Sequence, residues 1–293
     1  MSTTLELTDT PNPGIYLDVD FETYVGWDAV NASTLKGFTK PPAHVRHDME
    51  SGGKEQTKAM RLGSLLHRSI FEPEKFAIDV VVPPKIDKRY NEGKAKWVQF
   101  QAEHPNKEYV DPPLYTQIIG ITEGLKRNES TKALLFSGGS SEVSIVWTER
   151  KTGLLCKARI DHLGPFNEWP LVVSDLKTTF DASRRNVERQ IHNYGYHISA
   201  AHYLDGLETL QPVPAGDPFR RFMWAFVESK APYCAAAYEI TDEALAQGLA
   251  DRDRFLLKWK ECTESGDWHG YPPGVEYAGL PAYAYRQYED FND

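Results

Sequence analysis

The segment CKARIDHLGPFNEWPLVVSDLKT, Cys156–Thr178, constrains the fold more than any other stretch of the chain. Two apolar runs flank a loop, Gly164–Pro170, whose glycine and prolines cannot continue a regular element. Such runs predict two neighbouring strands. Asp161 stands at the end of the first, while Asp175 and Lys177 occupy alternate positions on the second. Strand side chains alternate faces, so Asp175 and Lys177 share one face and Ser174 and Leu176 take the other. Pairing of the strands gathers two carboxylates and one ammonium on one patch. Neighbouring carboxylates repel unless a proton or cation stands between them. A hard divalent cation that prefers oxygen, such as Mg²⁺, suits that patch.

The valines before Asp175 and the apolar run before Asp161 place these charges at the edge of a buried sheet, where an unpaired charge is costly. The bland alternative is an exposed same-face salt bridge worth little. The rest of the 293 residues sets the frame. Hydrophobic residues are 41% and charged residues 26%, ordinary globular usage that argues against wholesale disorder. No apolar run approaches the roughly 18–20 residues needed to cross a bilayer. The first residues lack the basic-then-apolar order of a secretory signal, so a cytoplasmic protein is expected. Cys156, Cys234 and Cys262 are scattered, which disfavours a disulfide framework or a cysteine-built metal cluster. The net charge of −9 disfavours coating by nucleic acid over the whole surface but leaves room for a local basic track. Lys85, Lys88, Arg89, Lys94 and Lys96 form one such cluster, and Arg184, Arg185 and Arg189 another; a solvated face is the plain reading of both.

Along the chain, residues 1–30 read as an irregular arm, followed by a short helix from Asn31 to Phe38 that the prolines at 41–42 stop. Helical spacing runs over Lys54–Phe71, with His67 in its last turns, then over Asn91–His104 and Leu114–Asn128. Strands are predicted over Glu142–Thr148, Leu154–Leu163 and Leu171–Lys177, with a hairpin over Phe219–Glu228 and Tyr233–Ile240. One long helix is expected from Asp181 or Ser183 to Leu207, and another from Thr241 to Cys262. This order predicts an α/β or α+β fold with a mixed central sheet flanked by helices. No repeat or two-domain split is visible, so residues 1–293 are expected to form one domain, with a core of about 55–262 between an N-terminal arm and an irregular tail.

Four segments in order, GSLLHRSIFEP (63–73), KARIDHL (157–163), DLKTT (175–179) and YGYHISAAHYLDGL (194–207), resemble the RecE-type exonucleases of the PD-(D/E)xK nuclease superfamily. The resemblance implies a restriction-endonuclease-like core and a Mg²⁺-dependent exodeoxyribonuclease, with Mn²⁺ as a substitute, acting 5′→3′ on double-stranded DNA ends. It implies His67, Asp161 and Asp175 as metal ligands with the backbone carbonyl of Leu176, and Lys177 as the lysine that polarises water or phosphate. It further implies a homo-oligomeric ring around DNA and a RecT-like single-strand annealing partner in phage-type recombination. A structure-specific or single-strand nuclease of the same fold, or a non-catalytic DNA-binding module, is the alternative. The family's Gln-x-x-x-Tyr motif is expected at Ser199–Tyr203, where serine replaces glutamine; Gln190 lies nine residues earlier. Tyr203, Gln190 and Arg159 are the candidates for contacting substrate. Arg159 either meets phosphate or pairs with a carboxylate, and Glu142 is read as exposed rather than as a supporting acid. Trp97, Trp147, Trp169 and Trp224 are read as core residues or interface anchors.

Overall fold

Period-two apolar runs build the centre of the molecule, and helices cover both of its faces. The computed structural model describes residues 11–51, 56–164, 171–212 and 220–280. The chain begins with β1 (Gly14–Tyr16), α1 (Phe21–Gly26), α2 (Ala32–Gly37), α3 (Pro42–Glu50), α4 (Lys58–Phe71) and α5 (Pro73–Asp79). It continues through β2 (Val80–Val81), α6 (Asn91–Glu103), β3 (Glu108–Tyr109), α7 (Pro112–Arg127) and α8 (Glu129–Phe136). The central strands are β4 (Ser140–Thr148), β5 (Leu155–Leu163) and β6 (Val172–Thr179). After α9 (Arg184–Asn193) and α10 (Tyr196–Leu210) come β7 (Arg221–Glu228), β8 (Ala235–Glu239) and α11 (Asp242–Ser265).

Six strands form one mixed sheet in the order β1-β4-β5-β6-β7-β8, antiparallel except for the parallel pair β6–β7. That parallel pair needs a long crossover, which α9 and α10 supply. Alternation along β7 separates two cores: Phe222, Trp224 and Phe226 pack with Ile198, Leu207 and Phe255, while Ala225 and Val227 pack with Leu62, Leu66, Ile118 and Ile121. The first group lies under α10 and α11, the second under α4 and α7. The α/β architecture with a mixed, helix-flanked sheet is as the sequence predicts.

Several elements differ from expectation for local reasons. The long helix after β6 is two helices, because Gly195 adopts φ +61° between α9 and α10, the left-handed region that glycine enters at little cost. The prolines at 42 and 73 stand at the start of new helices, where the missing N–H is not needed. The N-terminal arm is partly ordered: β1 extends the sheet beside β4, and α1 is capped by Asp20, which accepts from the Thr23 amide. Trp147 and Trp224 are core residues, whereas Trp97 lies half-buried against Phe100 with Lys88 over its ring. Trp169 and the loop beyond Gly164 lie outside the described residues. Among the described residues, no helix is long and apolar enough to cross a membrane.

Candidate active site

Strand divergence opens the site. The strands β5 and β6 pair only through His162–Ser174 and Leu163–Val173, and then part. In a strand, the N–H and C=O of one residue point to the same neighbour, so parting leaves the Leu176 groups facing β5 without a ladder partner. Side chains take the place of the missing strand. The Leu176 amide donates to Asp161 Oδ2 at 2.8 Å, and the Leu176 carbonyl lies 3.1 Å from His67 Nε2. A carbonyl only accepts, so Nε2 carries the hydrogen and Nδ1 keeps its lone pair. That Nδ1 lies 3.6 Å from Asp161 Oδ2.

A second local departure brings in Glu142. The register between β4 and β5 is continuous on both sides, yet it omits the facing pair Glu142 and Asp161. Glu142 sits at φ +54°, a conformation that costs a non-glycine residue about 1–3 kcal/mol. His67, Glu142 and Asp161 each offer one ligand atom, and these atoms lie within 4.8 Å of one another. Arg159 holds Glu142 by its Nε and spends its other contacts on the Val19 carbonyl at 2.7 Å and Ser144 Oγ at 3.2 Å. Of the two readings of Arg159, the structure shows pairing with a carboxylate, and the side chain is buried.

Asp175 and Lys177 share a face as alternation requires, with Nζ 2.5 Å from Oδ2. Burial works against the charge on Lys177, but Asp175 and Asp161 more than offset it and hold the ammonium above its ordinary range. Lys177 therefore stays a cation at any physiological pH. Burial, and then the charge of Asp175, push the Asp161 carboxyl from 3.8 up to about 7. Glu142 is pushed up by burial and by Asp161, and burial pulls the His67 imidazole down. The cluster has more negative charge than its surroundings neutralise.

A cavity of about 980 Å³ opens onto His67 and Lys177. Gln190 and Tyr194 line it as well, and Gln190 Nε2 donates to Thr179 Oγ1 at 2.6 Å. The expected position of the Gln-x-x-x-Tyr motif, Ser199–Tyr203, lies elsewhere: Ser199 is buried, and Tyr203 packs against the core with its ring 6.1 Å from Phe222. Gln190 and Tyr194 have the same spacing, and both line the cavity, on the stretch that ends where Gly195 separates α9 from α10. The spacing in QIHNY, residues 190–194, is the signal that finds them.

A family of PDDEXK-like domains of unknown function, DUF3799, matches residues 31–280. The chain belongs to this family. DUF3799 membership places it in the PD-(D/E)xK superfamily. A solved structure from Eubacterium rectale, of a protein provisionally described as an exonuclease, is 15% identical and superposes with a TM-score of 0.54. The match covers 88% of this chain and 97% of that one, a likeness of fold. A second structure, described only as SSO0001, is 14% identical over 67% of this chain and 85% of its own; its TM-score of 0.29 carries no argument. No curated protein matches the chain.

The donor set of this DUF3799 domain fits a divalent cation. Two carboxylates and one imidazole with a free Nδ1 lone pair converge, and burial, then the neighbouring charge of Asp175, drives the Asp161 carboxyl toward its protonated form. Hard oxygen donors suit Mg²⁺ or Mn²⁺, and the imidazole favours the latter. Asp175 is turned to Lys177 rather than into the triplet, while the Leu176 carbonyl faces the site with one lone pair beyond its bond to His67.

Proposed function

We propose that the chain is a divalent-metal-dependent exodeoxyribonuclease of RecE type, degrading double-stranded DNA 5′→3′ from its ends. The observation that carries the reading is the triplet His67, Glu142 and Asp161 within 4.8 Å, set beside the Asp175–Lys177 pair. His67 through Nδ1, Glu142 and Asp161 hold the ion, with the Leu176 carbonyl and Asp175 close by. A bound Mg²⁺ or Mn²⁺ supplies positive charge that offsets the charge growing on a phosphodiester and acidifies nearby water. Lys177, kept protonated, stabilises negative charge at the phosphate rather than accepting a proton. Asp175 positions that ammonium, and Arg159 positions Glu142. Gln190 and Tyr194 contact the substrate as it enters the cavity.

Residues 1–293 act as one nuclease domain on this reading, in the cytoplasm of a bacterium or phage-infected host. A homo-oligomeric ring and a RecT-like annealing partner complete it as a recombination nuclease. The presence of Gln190 and Tyr194 in the cavity wall favours this reading over a structure-specific nuclease, which the serine at 199 would otherwise suggest. The test is timed digestion of linear duplex labelled at the 5′ or 3′ end, with closed circular DNA beside it, in Mg²⁺, Mn²⁺ or EDTA. Early release of 5′ label, intact circles and silence in EDTA are expected. Cleavage of closed circles overturns the exonuclease assignment, and cleavage in EDTA overturns the metal.

A further inference from the structure

Lys36 is a cation that the fold holds beside this site although it lies far from it in sequence. It stands in the last turn of α2, which packs against α10. Its stem crosses Gly195, where an added Cβ would lie 3.0 Å from both Cγ and Cδ of Lys36. The ammonium ends 5.8 Å from the centroid of the Tyr196 ring, and Lys177 Nζ lies 5.2 Å from the same centroid. Among the described residues Lys36 makes no ion pair, and Asp175 is already paired with Lys177.

Both ammoniums lie within about 6 Å of one ring centroid, and like charges that near one another repel. The repulsion and the burial both show in Lys36, whose pKa is pulled from 10.5 to about 8, by burial first and Lys177 second. A tyrosine face attracts a cation only weakly. A bound anion would relieve both costs at once. Tyr196 and Lys177 both line the cavity, and Lys36 adjoins that wall through its contact with the Tyr196 ring rather than lining the cavity itself.

We infer that Lys36 is a substrate-binding residue, forming with Lys177 and Tyr196 a two-lysine subsite for a backbone phosphate beside the bond that is cut. The inference rests on the nuclease reading and adds to it a contact made by the N-terminal helices. A merely structural lysine, stacked on Tyr196, would weaken binding on removal without changing how binding responds to salt. A phosphate contact releases a counterion, so its loss changes the slope itself.

The experiment measures binding of the full chain to a labelled duplex and to its single strand in EDTA, from about 50 to about 200 mM KCl. Lys36→Met is expected to flatten the plot of log K against log salt by about 0.9 on duplex or about 0.7 on single strand. Lys36→Arg is expected to keep the wild-type slope, and Lys36→Gln to match Lys36→Met, which separates charge from packing. In Mn²⁺, Lys36→Met raises KM with kcat little changed, because the contact exists before and during the reaction. A wild-type slope in both neutral variants overturns the inference and leaves the nuclease reading standing. A wild-type protein that neither binds nor cuts nucleic acid overturns both.

Discussion

Asp161→Asn should make the metal-free protein more stable, at the site where it destroys function. The folded carboxyl titrates at about 7 and the unfolded one at 3.8, a gap of about three pH units. An acid whose folded pKa is raised binds its proton more tightly in the native state. Its stabilising effect is therefore full below pH 3.8, is lost as pH rises to 7, and stays lost above. At pH 8 the cost of ionising Asp161 in the fold is at most about 4 kcal/mol, from the three-unit gap at 1.36 kcal/mol per unit. Asparagine keeps an oxygen to accept from the Leu176 amide and carries no charge. Urea denaturation in EDTA, followed by tryptophan fluorescence, should place the variant above wild type at pH 8 and level with it near pH 4. Saturating Mn²⁺ should raise the wild type and leave the variant where it was. A variant equal to or below wild type at pH 8 in EDTA refutes the argument that unneutralised charge is stored in the cluster.

Two further outcomes follow from the same structure. Lys177→Ala should lower kcat by a factor of about 10²–10³, the usual loss of one electrostatic group; retained turnover counts against its role. The buried His202 donates from Nε2 to the Lys157 carbonyl, 3.2 Å away, and burial followed by Arg252 pulls its pKa from 6.5 to about 3. Its folded pKa is depressed, so the unfolded chain gains the proton first and stability falls as pH drops from 6.5 toward 3. At pH 4.5 that loss is about 3 kcal/mol, and His202→Gln should flatten this part of the pH profile in thermal melts. An unchanged profile contradicts the assignment.

Much of the fold and part of the site were legible in the chain because they depend on short-range order. Alternation alone puts Asp175 beside Lys177, and the two apolar runs around a Gly–Pro loop bring Asp161 near them. The helical spacing of Lys58–Phe71 carries His67 to the sheet. Glu142 reads as exposed in the sequence because its position depends on φ +54° and a break in the β4–β5 register, which no pattern of apolar residues encodes. Gln190 is legible as a candidate contact, but its partner is Tyr194 rather than Tyr203: the run from 183 to 207 reads as one helix, whereas Gly195 divides it and leaves Gln190 and Tyr194 on the cavity wall. Arg159 is ambiguous in sequence because its partner Glu142 reaches it only through the same β4–β5 register break. Lys36 is beyond local reading, since only tertiary packing of α2 on α10 brings it to Tyr196.

Calorimetric titration of Mn²⁺ into the metal-free protein, with Glu142→Gln alongside, addresses the central claim most directly. Binding to wild type with release of protons at pH 7, and a large loss of affinity in Glu142→Gln, is the result expected from the triplet His67, Glu142 and Asp161. Undiminished Mn²⁺ affinity in the variant, or no binding by wild type, contradicts it.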